Sequence, residues 1–178
     1  MVDPRRFQQA LAGGAKANKY RAIFSFPAEA AVDSNIVDKV SITTKTFDVP
    51  ELTKGKIETP FQGHIIKTPG DRVWPELPVT FQSDKSFEVY RAFVRWENLT
   101  APMRAGTGSV TEFERYSADL VIQGGDNDEN GNFIVQVSHE FYDAFPLTVG
   151  GYQYSNDAAD TLIEFPVTFD FFDAQLGI

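Results

Sequence analysis

Large apolar and polar side chains alternate with a period of two along much of this chain, and that alternation sets the fold class before any motif is read. Residues 162–172 place Ile163, Phe165, Val167, Phe169 and Phe171 on one side and Glu164, Thr168 and Asp170 on the other. This is the pattern of a strand buried on one face and hydrated on the other. Residues 133–142 repeat it, with Phe133, Val135, Val137 and Phe141 against Gln136, Ser138 and Glu140. Upstream, Tyr116, Ala118, Leu120 and Ile122 alternate with Arg115, Ser117 and Asp119. The Gly, Asp and Asn residues of 124–132 join these two strands as a hairpin. One-sided burial belongs to antiparallel sheets. The expected fold is therefore mainly β, an antiparallel β-sandwich or rolled barrel, with one flanking α-helix and a short N-terminal helix.

The other segments fit around that sheet. Asp3 caps and Pro4 opens a short helix carrying Phe7 and Leu11 on one face, which ends at Gly13-Gly14. It is too short to stand without a partner. Residues 19–26 read as a strand closed by Pro27, followed by a turn over 28–35. Residues 36–98 then form one continuous pattern of strand, two-legged excursion, strand and helix. The stretch 39–47 alternates Val40 and Ile42 against Lys39, Ser41 and Lys45, which reads as a strand that Pro50 stops. A sparsely apolar finger runs out through 56–67, pauses at Thr68-Pro69-Gly70-Asp71 and returns at 79–82. Asp84 is the expected N-cap of a helix over 85–98, with Phe87, Tyr90 and Val94 on its apolar stripe and Phe93 and Trp96 on the flank. Residues 100–108 read as a loop, and residues 144–151 are expected to bend away from the sheet.

At 178 residues the chain has the length of one domain that buries about 70% of its unfolded surface, and sixteen Phe, six Tyr and two Trp supply that core. The absence of cysteine excludes disulfides, thiolate metal sites and a cysteine nucleophile. Gln8, Gln9 and Gly13 interrupt any apolar stretch after Arg5 and Arg6, so no signal peptide is expected. No apolar run approaches the roughly 20 residues of a membrane-spanning helix. Charge is segregated: the net of −9 divides into +4 over residues 1–21, −1 over 22–111 and −12 over 112–178. So acidic a segment repels a phosphate backbone. It also allows the basic front of one copy to meet the acidic surface of another.

Motifs for chemistry are sparse. His64 and His139 stand in no ligand spacing, no serine occupies a Gly-x-Ser-x-Gly elbow, and neither a phosphate loop nor a dinucleotide fingerprint is present. Asp126-x-Asp128-x-Asn130-Gly131 resembles the opening of a calcium loop, but its twelfth place is Val137 instead of glutamate. Turn propensity accounts for the same residues. Asn98-Leu-Thr100 is a glycosylation sequon with no secretion signal beside it. Neither enzymatic activity nor a cofactor or metal is expected.

An ordered set of blocks carries a family resemblance. Ile36-Val-Asp-Lys-Val40, Phe47-Asp-Val-Pro50, Gly63-His-Ile-Ile-Lys-Thr-Pro-Gly70, Leu77-Pro-Val-Thr-Phe81 and Arg91-Ala-Phe-Val-Arg-Trp96 are followed by Arg115-Tyr116, Asp143-Ala-Phe-Pro146, Val149-Gly150 and Val167-Thr-Phe-Asp170. Over about 150 residues this order resembles the tail tube proteins of contractile-tailed bacteriophages. It is also similar to the tubes of phage-like bacteriocins and of type VI secretion. No single block is specific.

The resemblance implies a structural virion protein, one domain over 1–178, whose hexameric rings stack into a hollow tail tube. Double-stranded DNA would pass through the lumen without specific binding during ejection. Implied partners are further copies of the chain, the tail sheath, and baseplate and tail terminator proteins, with no membrane. The implied location is the virion tail, assembled in the host cytoplasm. Matched positions nominate an N-terminal arm over 1–17, with Arg5, Arg6, Phe7, Leu11 and Lys16 at the joint between rings. They also nominate an inter-ring loop over 52–74, with Leu52, Lys54, Lys56, Phe61, His64, Lys67, Arg72 and Trp74. A baseplate tube initiator, or the tube of a bacteriocin or secretion system, would share fold and assembly. A carbohydrate-binding β-sandwich would instead expose an aromatic platform.

Overall fold

The computed structural model describes residues 15–103, 112–155 and 161–178. Seven strands form one rolled sheet in the order β1-β6-β7-β8-β5-β2, with β9 paired to β7 off this path. The strands are β1 (Tyr20–Phe24), β2 (Thr44–Phe47), β5 (Leu77–Gln82), β6 (Ala118–Asn127), β7 (Phe133–Val149), β8 (Glu164–Asp170) and β9 (Asp173–Leu176). A separate two-stranded sheet is made by β3 (Thr53–Phe61) and β4 (His64–Val73). All pairings are antiparallel, as one-sided alternation predicts.

The long strand β7 serves both halves of the roll. It pairs with β9 as far as Tyr142 and with β6 as far as Ala144, and from Phe145 it pairs with β8. The change of partner falls at Asp143, whose φ of 54° places a non-glycine residue in the left-handed region. Local bonds hold this bend: the Asp143 amide donates to Asp119 Oδ1 at 3.1 Å, and Ser117 Oγ donates to Asp143 Oδ1 at 3.3 Å. Residues 144–149 therefore stay in the sheet, where a departure from it was expected. At its open side the roll is clasped by Tyr20, whose hydroxyl lies 2.8 Å from Thr44 O and 2.7 Å from Lys45 O.

Among the described residues three helices pack on this roll: α1 (Ser34–Thr43), α2 (Glu88–Thr100) and the single turn α3 (Phe113–Tyr116). A 3-10 turn over Ala28–Ala30 occupies part of the expected 28–35 turn. The first helix corrects the strand expected over 39–47, of which only the last four residues are extended. Val40 is fully buried whereas Ile42 is 82% exposed, so the two do not share a face. Ile36 and Val40, four apart, are the buried pair, and Asp33 begins the helix with its carbonyl accepting from the amides of Ile36 and Val37. Lys39 ties α1 to α2 through Glu88 and Asp84.

Helix α2 starts after Phe87, which has φ 54°, so Asp84 is not its N-cap. The Asp84 carboxylate still accepts the Val89 amide at 3.4 Å and the Ser86 hydroxyl at 2.8 Å. The buried stripe is Val89, Ala92, Phe93 and Trp96, which makes the expected flank the centre. Phe93 lies 4.6 Å from Phe81 and 6.2 Å from Phe165 between ring centroids, and Trp96 lies 5.0 Å from Phe26. The α2 stripe thus fills the roll with aromatic rings that the strands point inward.

Strand β6 begins at Ala118, and Tyr116 belongs to α3, so Arg115-Tyr116 does not open a strand. Leu120 and Ile122 are buried as expected, while the outer halves of β6 and β7 run on as an exposed hairpin. Within it Gly125 sits at a register shift, where an added Cβ would stand 2.0 Å from Ile134 O. Gly125→Ala is expected to push the two strands apart and cost about 1–3 kcal/mol, read as a fall in thermal midpoint. An unchanged midpoint would show that the hairpin relaxes freely.

Candidate functional site

Asp128, in the calcium-like motif, accepts the amides of Asn132 at 2.7 Å and Asn130 at 2.9 Å, and these bonds, the Asn132 one foremost, hold its carboxyl below the usual carboxylate range. It is a turn-forming aspartate. Among the described residues no group of three or more His, Asp or Glu side chains is placed to hold a metal ion, and no helix is long and apolar enough to cross a membrane. Asn98 of the sequon lies on α2, donates to Val94 O at 2.6 Å and accepts the Met103 amide at 3.0 Å.

His139 is partly buried on β7, where its Nδ1 accepts the Gly177 amide at 3.2 Å, next to the C-terminal strand. Burial pushes its imidazole below the ordinary range. The unfolded chain therefore takes up the proton first. The stabilisation is complete above the ordinary histidine pKa of about 6.5 and is lost as pH falls below it. Acidification from pH 7.5 to 5.5 is expected to raise amide exchange in residues 173–178 relative to β8. Equal protection at both pH values would contradict this.

The described residues do present a long exposed hairpin. The finger over 52–74 is a hairpin whose tip is Gln62-Gly63, both with positive φ (45° and 83°), the geometry of a tight two-residue turn. The expected pause at 68–71 is instead part of β4. There the register shifts opposite Gly55, and a Cβ on Gly70 would lie 3.2 Å from the Gly55 carbonyl carbon. Apart from Gly70, every residue of β3 and β4 is exposed. Cross-strand partners share a face. Ile57 with Thr68, Thr59 with Ile66, and Phe61 with His64 therefore make one face that bears no formal charge when His64 is neutral. The opposite face carries Lys56, Glu58 and Lys67, and Lys56 Nζ lies 2.8 Å from Glu58. Ile57 and Phe61 are each 57% exposed and Ile66 is 50% exposed.

The residues nominated from sequence are placed differently from one another. Lys54, Lys56, Phe61, His64, Lys67 and Arg72 lie on the exposed hairpin, and Leu52 is exposed just before it. Trp74 instead ties the root to its own subunit: its ring lies 5.9 Å from that of Phe171, and Nε1 donates to Asp173 Oδ1 at 3.2 Å. Arg72 sits over the same ring at 5.0 Å. Arg5, Arg6, Phe7 and Leu11, with the N-terminal helix, lie outside the described residues. Lys16 is exposed. The neighbouring Lys19 lies 3.6 Å from Asp126 of the β6–β7 hairpin within the same chain. Asp126 is held below its usual range first by the Asn127 amide, with Lys19 and Lys16 adding to it. Part of the basic front is thus matched internally.

A second surface was not anticipated from sequence. A groove of about 640 Å³ lies between β1 and α1, lined by Tyr20, Arg21, Ile23, Val37, Ile42 and Thr44 among others. Its outer lip carries Ile42. The sequence signal was the i, i+4 pair Ile36 and Val40, which leaves Ile42 pointing out of a helix.

Known proteins share this architecture. The solved tube-terminating cap of the anti-feeding prophage matches with a TM-score of 0.62 at 15% identity, covering 91% of this chain and 89% of that one. A chain of the PVC sheath-tube complex, an extracellular contractile injection system in its extended state, matches at 0.57 with 13% identity, covering 99% of each. At such identities the likeness is one of fold. In sequence, the tail tube protein of Serratia phage KSP90 is 25% identical over 177 residues, covering 98% of this chain and 97% of that protein. The family model for phage tail tube proteins matches residues 15–173, from before β1 into β9, and the chain belongs to that family.

Proposed function

We propose that this protein is the structural subunit of a contractile tail tube, in which six copies close a ring and rings stack into a hollow conduit for double-stranded DNA. The observation that carries this reading is the exposed hairpin. A two-stranded sheet with apolar side chains on one face is marginal in water, and so long an exposed apolar strand pair invites another chain. Stacking needs this kind of projecting, non-self-complementary contact, because head-to-tail interfaces extend without limit until capped.

Edge-to-edge pairing around a ring would remove the open sheet edges and leave a polar face on the lumen. A net charge of −9 on every subunit favours passage of DNA over adhesion. Sheath, baseplate and terminator proteins are the corresponding partners, the virion tail is the location, and assembly occurs in the host cytoplasm. The tail tube name of the phage relative and the sheath-tube setting of the PVC match support the assignment.

Sedimentation velocity across concentration and salt tests it. The expected result is growth from subunit to hexamer multiples, whereas a single monomer boundary at every concentration would refute the reading. The N-terminal arm adds a separate prediction. Deleting residues 1–17 is expected to weaken polymerisation about tenfold at low salt and less at 0.5 M salt, since screening removes the contribution of Arg5, Arg6 and Lys16. Equal polymerisation of both forms at every salt would exclude a charged-arm joint.

A further inference from the structure

We infer that the groove between β1 and α1 is the receptor for the β3–β4 hairpin of a neighbouring copy, with the uncharged hairpin face seated against Ile23, Val37 and Ile42. This deepens the stacked-ring reading and rests on it.

Position within the subunit supports the pairing. Strand β2 runs from Thr44 to Phe47, antiparallel to β5, which runs from Leu77 to Gln82, with Phe47 opposite Val79 and Thr44 opposite Phe81. The hairpin is inserted between β2 and β5, so it emerges at their Phe47 and Leu77 end. The groove lies at the other end of β2, where Ile42 and Thr44 line it. Projection and receptor therefore flank one strand on opposite ends, the arrangement a head-to-tail repeat requires. Strands of nine and ten residues reach about 30 Å, at roughly 3.3 Å per residue, against about 13 Å for the four residues of β2. The hairpin is long enough to extend beyond its own subunit.

Chemistry supports it as well. The hairpin face with Ile57, Phe61 and Ile66 has no charge to desolvate apart from any proton on His64. The groove opposes it with Ile23, Val37 and the 82% exposed Ile42, and its lining also includes the charged Arg21 and Asp38, which must stay hydrated or pair with each other when the hairpin seats.

The cysteine-free chain makes the contact testable in the full-length protein. Ile42→Cys and Ile57→Cys proteins are mixed and treated with a short bismaleimide. The expected result is a 42-to-57 linked heterodimer, identified by peptide mass, at least tenfold above the 42-to-42 and 57-to-57 products of the separate proteins. Linkage confined to like positions, or none at millimolar protein, overturns the groove assignment. Ile42→Glu supplies the second arm. Because Ile42 is exposed, the thermal midpoint should hold while polymer mass falls at least tenfold, and undiminished polymer would also overturn the assignment. Electron microscopy of the unsubstituted protein reads the stacked-ring proposal independently, so rings without the 42-to-57 link would refute the groove alone.

Discussion

Replacing residues 53–73 by a short Gly-Ser linker is expected to abolish tube formation while leaving the subunit folded, with a thermal midpoint within about 4 °C of the unmodified protein. The small stability effect follows from the structure. The hairpin hydrogen-bonds within itself as a separate sheet, its side chains are exposed, and the aromatic core lies wholly in the roll and its helices. For a chain of this length 1 kcal/mol corresponds to about 2–4 °C. Trp74 is retained because its contacts with Phe171 and Asp173 belong to the body of the subunit. The assembly effect is large because the linker removes the exposed hairpin face that carries Ile57, Phe61 and Ile66. Tubes forming at the normal concentration from the shortened protein would show that the hairpin is dispensable surface.

Trp96→Ala should have the opposite profile, with the fold failing before assembly is reached. The indole is buried, its ring lies 5.0 Å from Phe26 and 5.9 Å from Phe169, and its Nε1 donates to Tyr116 O at 2.6 Å. Truncation opens a cavity between helix and sheet and costs about 3–5 kcal/mol. The Tyr116 carbonyl, left without its donor, adds about 1 kcal/mol. The midpoint should drop by roughly 10 °C or more. Trp96→Phe keeps an aromatic ring in the core while losing the donor and part of the indole volume, so it should recover a part of that fall. Phe172→Ala serves as the control, since Phe172 is 76% exposed. Equal losses for Trp96→Ala and Phe172→Ala would mean that α2 is not the keystone of the core.

Both predictions depend on features that differ in how openly the residues declare them. Strands buried on one face were legible because a period of two leaves no other reading for Phe165, Val167 and Phe169, and all three are fully buried. The β6–β7 hairpin was legible for the same reason, with its Asp and Asn turn between two alternating runs. Helix α1 was hidden because Val40, Ile42 and Thr43 have the β-branched side chains favoured in strands. Tertiary packing of Ile36 and Val40 decided otherwise.

The hairpin tip was missed through a comparable competition. Pro69-Gly70 is the stronger local turn signal, yet those residues accommodate a bulge where β3 and β4 approach closely. The weaker Gln62-Gly63 makes the turn. The finger itself was visible as an insertion between core strands. Its amphipathic faces were not, because they depend on a register that only the paired strands define. The groove was invisible for a related reason, since it needs β1 and α1 side by side.

The most direct measurement is electron microscopy of the purified full-length protein with image averaging along any particles formed. Six-fold rings stacked into tubes are expected, with residues 53–73 of each subunit covered by a copy in the adjacent ring. Monomers alone at every concentration, or tubes in which that hairpin remains bare, would contradict that expectation.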